Sequence, residues 1–323
     1  MAGMSPINWL SRTFLRDRFY FPNLRLSYIW IIWLAFLLGA LVPSHGNSSN
    51  APLQVMVTIP PQKYIVEQIG GSLVKVTMFV PESADPHSFE PTPRIINQLK
   101  NTQLFVAVGT LNVERKWLPR FQKMFPHLIV LSMAQALYKE TTTTKRAPIF
   151  APEGINPHIW LSPPIVLIHS RALYSVLIKF LPNNAETLEK NTLSWCHRLA
   201  QIDLECIKAF APYQNRAFLV YHPAWFHFAR AYDLIQLSVE KEGKNPGQKE
   251  LAKLIREISK NNIKTLFVQS KPAPVTAQRL AKQLGLNIRT LNPLSYDWCD
   301  IITKAKEAFT QSLQNSSKEA EAR

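Results

Sequence analysis

Three histidines stand in proline-flanked turns: His87 in ESADPHSFEPTP, His158 in NPHIWLSP and His222 in YHPAW. His87 and His222 each follow a short apolar run rich in branched or aromatic residues, and each of the three precedes a helical pattern. All three therefore fall in loops next to helix starts, His87 and His222 just past strand ends, where open α/β sheets place their ligands. A lone histidine is more often a hydrogen-bonded structural residue, but three in the same kind of turn change the reading. Imidazole suits late first-row divalent ions, and three imidazoles meeting in a cleft make a site for Zn²⁺. Each would need its second ring nitrogen held by a carbonyl or carboxylate, and Asp85 or Glu90 lies close enough in sequence to serve His87.

The other histidines carry less. His227 is five residues from His222, about 140° round a helix, whereas a helical metal pair wants i and i+4. His127, His169 and His197 stand alone on loops or amphipathic helices and read as structural. No HExxH, GxSxG or Walker spacing is present, which disfavours metalloprotease, serine-hydrolase and phosphate-loop chemistry. The cysteines Cys196, Cys206 and Cys299 show no CxxC spacing; a disulfide from Cys196 or Cys206 to Cys299 stays open.

The elements that must position the histidines alternate. Strand patterns at 53–59, 73–80 and 104–108 are interleaved with helical ones at 62–69, 92–100 and 117–125, followed by a polar loop at 138–150 and a helix at 165–181. The second half alternates strands at 217–221, 234–239, 263–268 and 286–291 with helices at 224–231, 248–260, 274–284 and 298–312. Between the halves, 185–210 holds neither proline nor glycine; as a helix it would be ~39 Å long. The expectation is an α/β fold of two lobes with parallel sheets, 47–184 and 212–312, joined by a linker helix at 185–211. A metal would lie in the interlobe cleft between bodies that otherwise touch over a modest interface. The end, SSKEAEAR, is too polar to pack, so 313–323 is expected to be a disordered tail.

At the other end, four arginines precede the apolar run YIWIIWLAFLLGALV, then Pro43 and small polar residues, the three-part pattern of a secretory signal. The run is short of the ~20 residues of a spanning helix, which favours a signal peptide at 1–46, cleaved near Gly46, over an uncleaved membrane anchor. A periplasmic or other extracytoplasmic location is expected. The net charge is +15, of which Arg12, Arg16, Arg18 and Arg25 against Asp17 supply +3 in the first 46 residues, leaving +12. Lysines and arginines are scattered, which argues against nucleic acid; a basic surface suits an anionic membrane or an acidic partner.

The segments DPHSFEPTP, NPHIWLSP, YHPAWFHFARAYDL and LSVEKEGKNPGQKELAKLI, in that order, resemble the solute-binding proteins of zinc and manganese ABC transporters over about residues 53–309. The resemblance implies two α/β lobes joined by one long helix, a metal held between them by His87, His158 and His222, and delivery to a membrane permease. A monomer is expected. The family's fourth ligand is usually an aspartate in the loop after the last strand, where this chain has Asn292, so Asn292, Asp297, Glu90 or a water remain candidates. The family's FVE or FVQ is matched by Phe267-Val268-Gln269, while the histidine-rich loop of many zinc-selective members is replaced by a threonine-rich one. A third imidazole in place of a carboxylate points to Zn²⁺, with Mn²⁺ or Fe²⁺ as alternatives. Competing readings are a zinc-dependent hydrolase with Glu90 as base at an open fourth position, and an adhesion protein with a structural metal.

Overall fold

Apolar runs bounded by Pro, Gly and Asn become two parallel sheets. The computed structural model describes residues 51–82, 84–139, 149–152, 154–240, 244, 246–270 and 273–321. The expected signal segment and most of the threonine-rich loop lie outside the described residues. The first sheet contains β1 (Leu53–Val57), β2 (Val74–Met78), β3 (Leu104–Ala107) and β4 (Ile129–Ser132) in the order β2-β1-β3-β4. The second contains β5 (Ala217–Val220), β6 (Ile235–Ser238), β7 (Thr265–Val268) and β8 (Asn287–Thr290) in the order β6-β5-β7-β8. All pairings are parallel. Central strands β3, β5 and β7 are buried throughout, as strands covered on both faces must be, while edge strand β8 is mostly exposed. Each sheet reverses its order beside its first strand, so loops at the carboxyl ends part there and leave a crevice.

The crossovers are α1 (Pro60–Gly70), α2 (Pro93–Gln98), α3 (Asn112–Met124) and α4 (Met133–Lys139) in the first half, followed by α5 (Pro163–Phe180) and α6 (Ala185–Phe210). The second half adds α7 (Phe226–Ala231), α8 (Gln248–Lys260), α9 (Val275–Leu284) and α10 (Trp298–Glu321). Strand β4 and helix α4 were not expected. Helix α3 starts five residues before the expected 117, because Glu114 fixes its first turn. That buried carboxylate accepts from Val108 N at 2.7 Å, Gly109 N at 2.6 Å and Thr58 Oγ1 at 2.5 Å, tying the helix start to the ends of β3 and β1. Gly109 has φ +86°, and a Cβ there would stand 2.0 Å from Ser132 Oγ, so only glycine serves.

Helix α6 runs over the 26 residues expected and buries Leu188, Trp195, Leu199, Ile202, Cys206 and Phe210. It packs on α1, α5 and α10. Period-2 alternation divides β5 between two cores: Phe218 and Val220 join the core that includes the first sheet and α6, while Ala217, Leu219 and Tyr221 join Ile258 and Leu280. The lobes thus share one continuous apolar core, where a modest interface was expected. The tail also differs. Helix α10 continues to Glu321, and Leu313 and Ser316 are buried, because Ala305, Phe309 and Leu313 repeat on one helix face against the core. Cys196, Cys206 and Cys299 are free thiols. Among the described residues no single helix is long and apolar enough to cross a membrane.

His169, in α5, is 1% exposed, and neither ring nitrogen has a hydrogen-bond partner. Burial pushes its pKa down to about 3. Above the ordinary value of about 6.5 the ring is neutral folded or unfolded; below it the unfolded chain gains a proton that the folded chain refuses, so stability falls with pH by up to about 1.4 kcal/mol per unit. His169→Leu removes both unpaired nitrogens, and acid-titration melts should show a more stable protein with a shallower loss between about pH 6.5 and pH 3. An acid limb as steep as the parent's would refute this.

Candidate metal centre

His222 owes its place to two strands. Past the end of β5, Tyr221 N donates to Phe267 O at 2.8 Å, and Val239 N and Glu240 N donate to Val220 O and Tyr221 O at 3.0 and 2.9 Å. The β5–β6 register pairs Val220 with Ser238, so two residues further on His222 faces Glu240. Its Nδ1 lies 3.0 Å from Glu240 Oε2. A carboxylate only accepts, so Nδ1 carries the proton and Nε2 is left with its lone pair.

His158 is set by the turn before it. Asn156 Nδ2 donates to Pro223 O at 2.7 Å, which turns Oδ1 toward His158; that oxygen accepts from His158 N at 3.1 Å and from Nδ1 at 3.0 Å. Again Nε2 is the free nitrogen. Thr110 Oγ1 donates to Pro157 O at 2.7 Å, anchoring the turn to the segment after β3. His227 Nε2 donates to Asn156 O at 2.9 Å, and Trp160 Nε1 to Pro293 O at 2.9 Å, so the turn is bound to the second lobe as well. His87, on the loop from β2 to α2, is held locally, its backbone N donating to Asp85 Oδ1 at 3.0 Å.

These frames bring the three imidazoles together. Ring centroids of His87 lie 5.8 Å from His158 and 5.4 Å from His222, and those of His158 and His222 are 5.0 Å apart. One ligand nitrogen from each lies within 4.8 Å of the others. His158 Nε2 and His222 Nε2 are 3.2 Å apart. Two nitrogens on a tetrahedral zinc at about 2.0–2.1 Å would be separated by about 3.3 Å, so the pair already has the spacing of a shared ion. Burial holds the His158 pKa well below the usual histidine range, with His222 and His87 adding to it, and partial desolvation lowers that of His87, whose surface is otherwise exposed, against the pull of Asp85. Neutral imidazole is the form that ligates.

The other expected donors are placed elsewhere. Glu90 bonds Lys116 Nζ and Trp117 Nε1 on α3; Asn292 Oδ1 accepts from Leu294 N at 2.9 Å; Asp297 Oδ1 accepts from Asp300 N at 3.0 Å at the start of α10. Glu240, Asn156 and His227 are the supporting residues that sequence reasoning missed. Glu240 carried one usable signal, since it comes two residues after the strand that neighbours β5.

Because Glu240 fixes both the tautomer and the ring orientation of His222, Glu240→Ala should weaken zinc binding by about tenfold to a hundredfold in a competitive chelator titration. An unchanged affinity would mean that the carboxylate has no part in the site.

Residues 55–315 match the family model described as zinc-uptake complex component A, periplasmic. The high-affinity zinc uptake system protein ZnuA of Bacillus subtilis (strain 168) is 25% identical over 286 residues, covering 83% of this chain and 88% of that protein. A solved crystal structure of ZnuA is 30% identical with a TM-score of 0.72, covering 81% of this chain and 100% of that one. A zinc-bound ZnuA lacking residues 138–173 is 29% identical with a TM-score of 0.71, covering 81% of this chain and 98% of that one. With a family model matched over most of its length, and with both sheets and the long helix in place, the chain belongs to the zinc-uptake complex component A family.

Proposed function

We propose that this protein captures Zn²⁺ outside the cytoplasm through His87, His158 and His222 and delivers it to the permease of an ABC transporter, acting as a single chain. The observation that carries the reading is the convergence of three imidazole nitrogens within 4.8 Å of one another, two of them with their opposite nitrogens already held by Glu240 and Asn156. An all-imidazole donor set favours zinc over manganese, which prefers oxygen. The names of the relatives, zinc-uptake proteins, support the same ion. Export is supported by the three-part amino terminus and by the family's periplasmic description.

A carrier fits the surroundings of the site better than a hydrolase does. Among the described residues Glu240 is engaged with His222, Glu90 with α3 and Asp85 with its own loop, so none of these three carboxylates is poised as a general base. The shared apolar core that runs through both lobes is built from side chains other than the three histidines, which supports an ion carried as cargo rather than one that holds the fold.

Purified apo-protein should bind one equivalent of Zn²⁺ and turn over no ester or amide; hydrolysis abolished by chelation would overturn the carrier reading. In competition, Mn²⁺ should displace Zn²⁺ only in large excess, and displacement at comparable concentrations would overturn the choice of ion. Because a ligand stabilises the state it binds by RT ln(1 + [L]/Kd), about 4 kcal/mol at a thousandfold excess, the zinc-loaded protein should melt well above the apo form. His222→Ala should lose most of that gain while its apo form melts close to the parent's. A variant whose apo form is badly destabilised would make His222 a structural residue instead.

A further inference from the structure

The three converging histidines are not held alike. His158 is buried in its turn and His222 is gripped by Glu240, but His87 is exposed, on a loop without regular structure. Its closest partner, Asp85, belongs to the same loop, accepting from His87 N and from Ser88 Oγ, so those bonds shape the loop without fixing it to the lobe. Among its described residues Ala84 packs on the core and Pro86 is buried, and the loop reaches named partners in the rest of the lobe at both ends. Val80 N donates to Thr58 O at 3.0 Å where β2 ends; Phe89 packs edge-on against buried Phe79 with centroids 5.6 Å apart; and Glu90 reaches α3. There Glu90 pairs with Lys116 Nζ and accepts from Trp117 Nε1 at 3.2 Å. The indole is itself held, stacked on buried Phe121 at 5.6 Å with the Arg120 guanidinium 5.0 Å and the Lys116 ammonium 5.9 Å from its ring. Helix α3 in turn starts on the Glu114 carboxylate at the end of β3.

We propose that Glu90 is a positioning residue for His87: by fastening the loop to Lys116 and Trp117 of α3 it keeps the exposed imidazole over the other two and sets how fast the metal leaves. The inference rests on the three-histidine reading above. A donor contributes to a chelate through its local concentration at the ion, which falls when its loop can wander. His158 and His222 are each fixed through the opposite ring nitrogen, by half-buried Asn156 and Glu240, so the metal departs by losing His87 first. Glu90 serves here through α3, neither as a ligand nor as a base.

The experiment loads the full chain with Zn²⁺ and follows its release to excess chelator by stopped flow, for the parent and for Glu90→Ala, Glu90→Gln and Trp117→Phe. An exposed ion pair is a weak contact taken singly, and Phe89 still anchors the loop, so Glu90→Ala should speed release by about fivefold to tenfold. Glu90→Gln still accepts from Trp117 and Trp117→Phe still stacks, so each should give a smaller rise. Association rate, one-to-one stoichiometry and apo melting temperature should stay at parental values in all three. Release within twofold of the parent in Glu90→Ala overturns the proposal. So does a rise in Glu90→Ala with none in Trp117→Phe, which would make Glu90 a ligand, or a rise that tracks a lowered apo melting temperature. A parent that binds no zinc would overturn the three-histidine reading itself, whereas tight parental binding with unaltered release overturns the role of Glu90 alone.

Discussion

Two imidazole nitrogens stand 3.2 Å apart, each with the opposite ring nitrogen given to an acceptor, Glu240 for His222 and Asn156 for His158, so that in the neutral tautomers selected by those bonds their lone pairs face. Lone pairs at that separation repel unless a proton or a Lewis acid lies between them. Burial of His158 makes the proton costly, because a charged imidazolium loses its hydration there. A divalent ion, bound to neutral rings, would meet the same need, and in the proposed site His87 would be its third donor. The arrangement costs the fold two rings fixed in one tautomer, and much of the surrounding structure serves to hold them.

That support comes from parallel-sheet topology. His222 and Glu240 meet because β5 and β6 run side by side in one register, and the residues past their ends inherit it. His158 belongs to the first half of the chain, yet its turn is bonded to Pro223, His227 and Pro293 of the second. The two lobes also share an apolar core through α6 and α10. The three imidazoles are therefore brought together across a boundary that is already well packed, with His87 the exposed one, on a loop between β2 and α2.

Much of this was legible in the sequence because the signals are local. Apolar runs ending at prolines mark the strand ends that carry His87 and His222, and an unbroken 26-residue stretch marks α6. What was not legible depends on partners distant in sequence. Glu240 acquires its role from strand register, and Asn156 from a carbonyl 67 residues away. Asn292 and Asp297 each bond a backbone N–H of their own turn, a local use of the side chain that composition does not separate from metal binding. The polar look of the end of the chain concealed the stripe of Ala305, Phe309 and Leu313 that carries α10 onto the core.

The central claim is that three imidazoles hold one ion, and zinc-edge X-ray absorption of the loaded full-length protein tests it most directly. The account predicts a first shell of nitrogen at about 2.0–2.1 Å with outer-shell scattering from three imidazole rings. A sulfur shell at about 2.3 Å, or an oxygen shell with scattering from one ring or none, would contradict it.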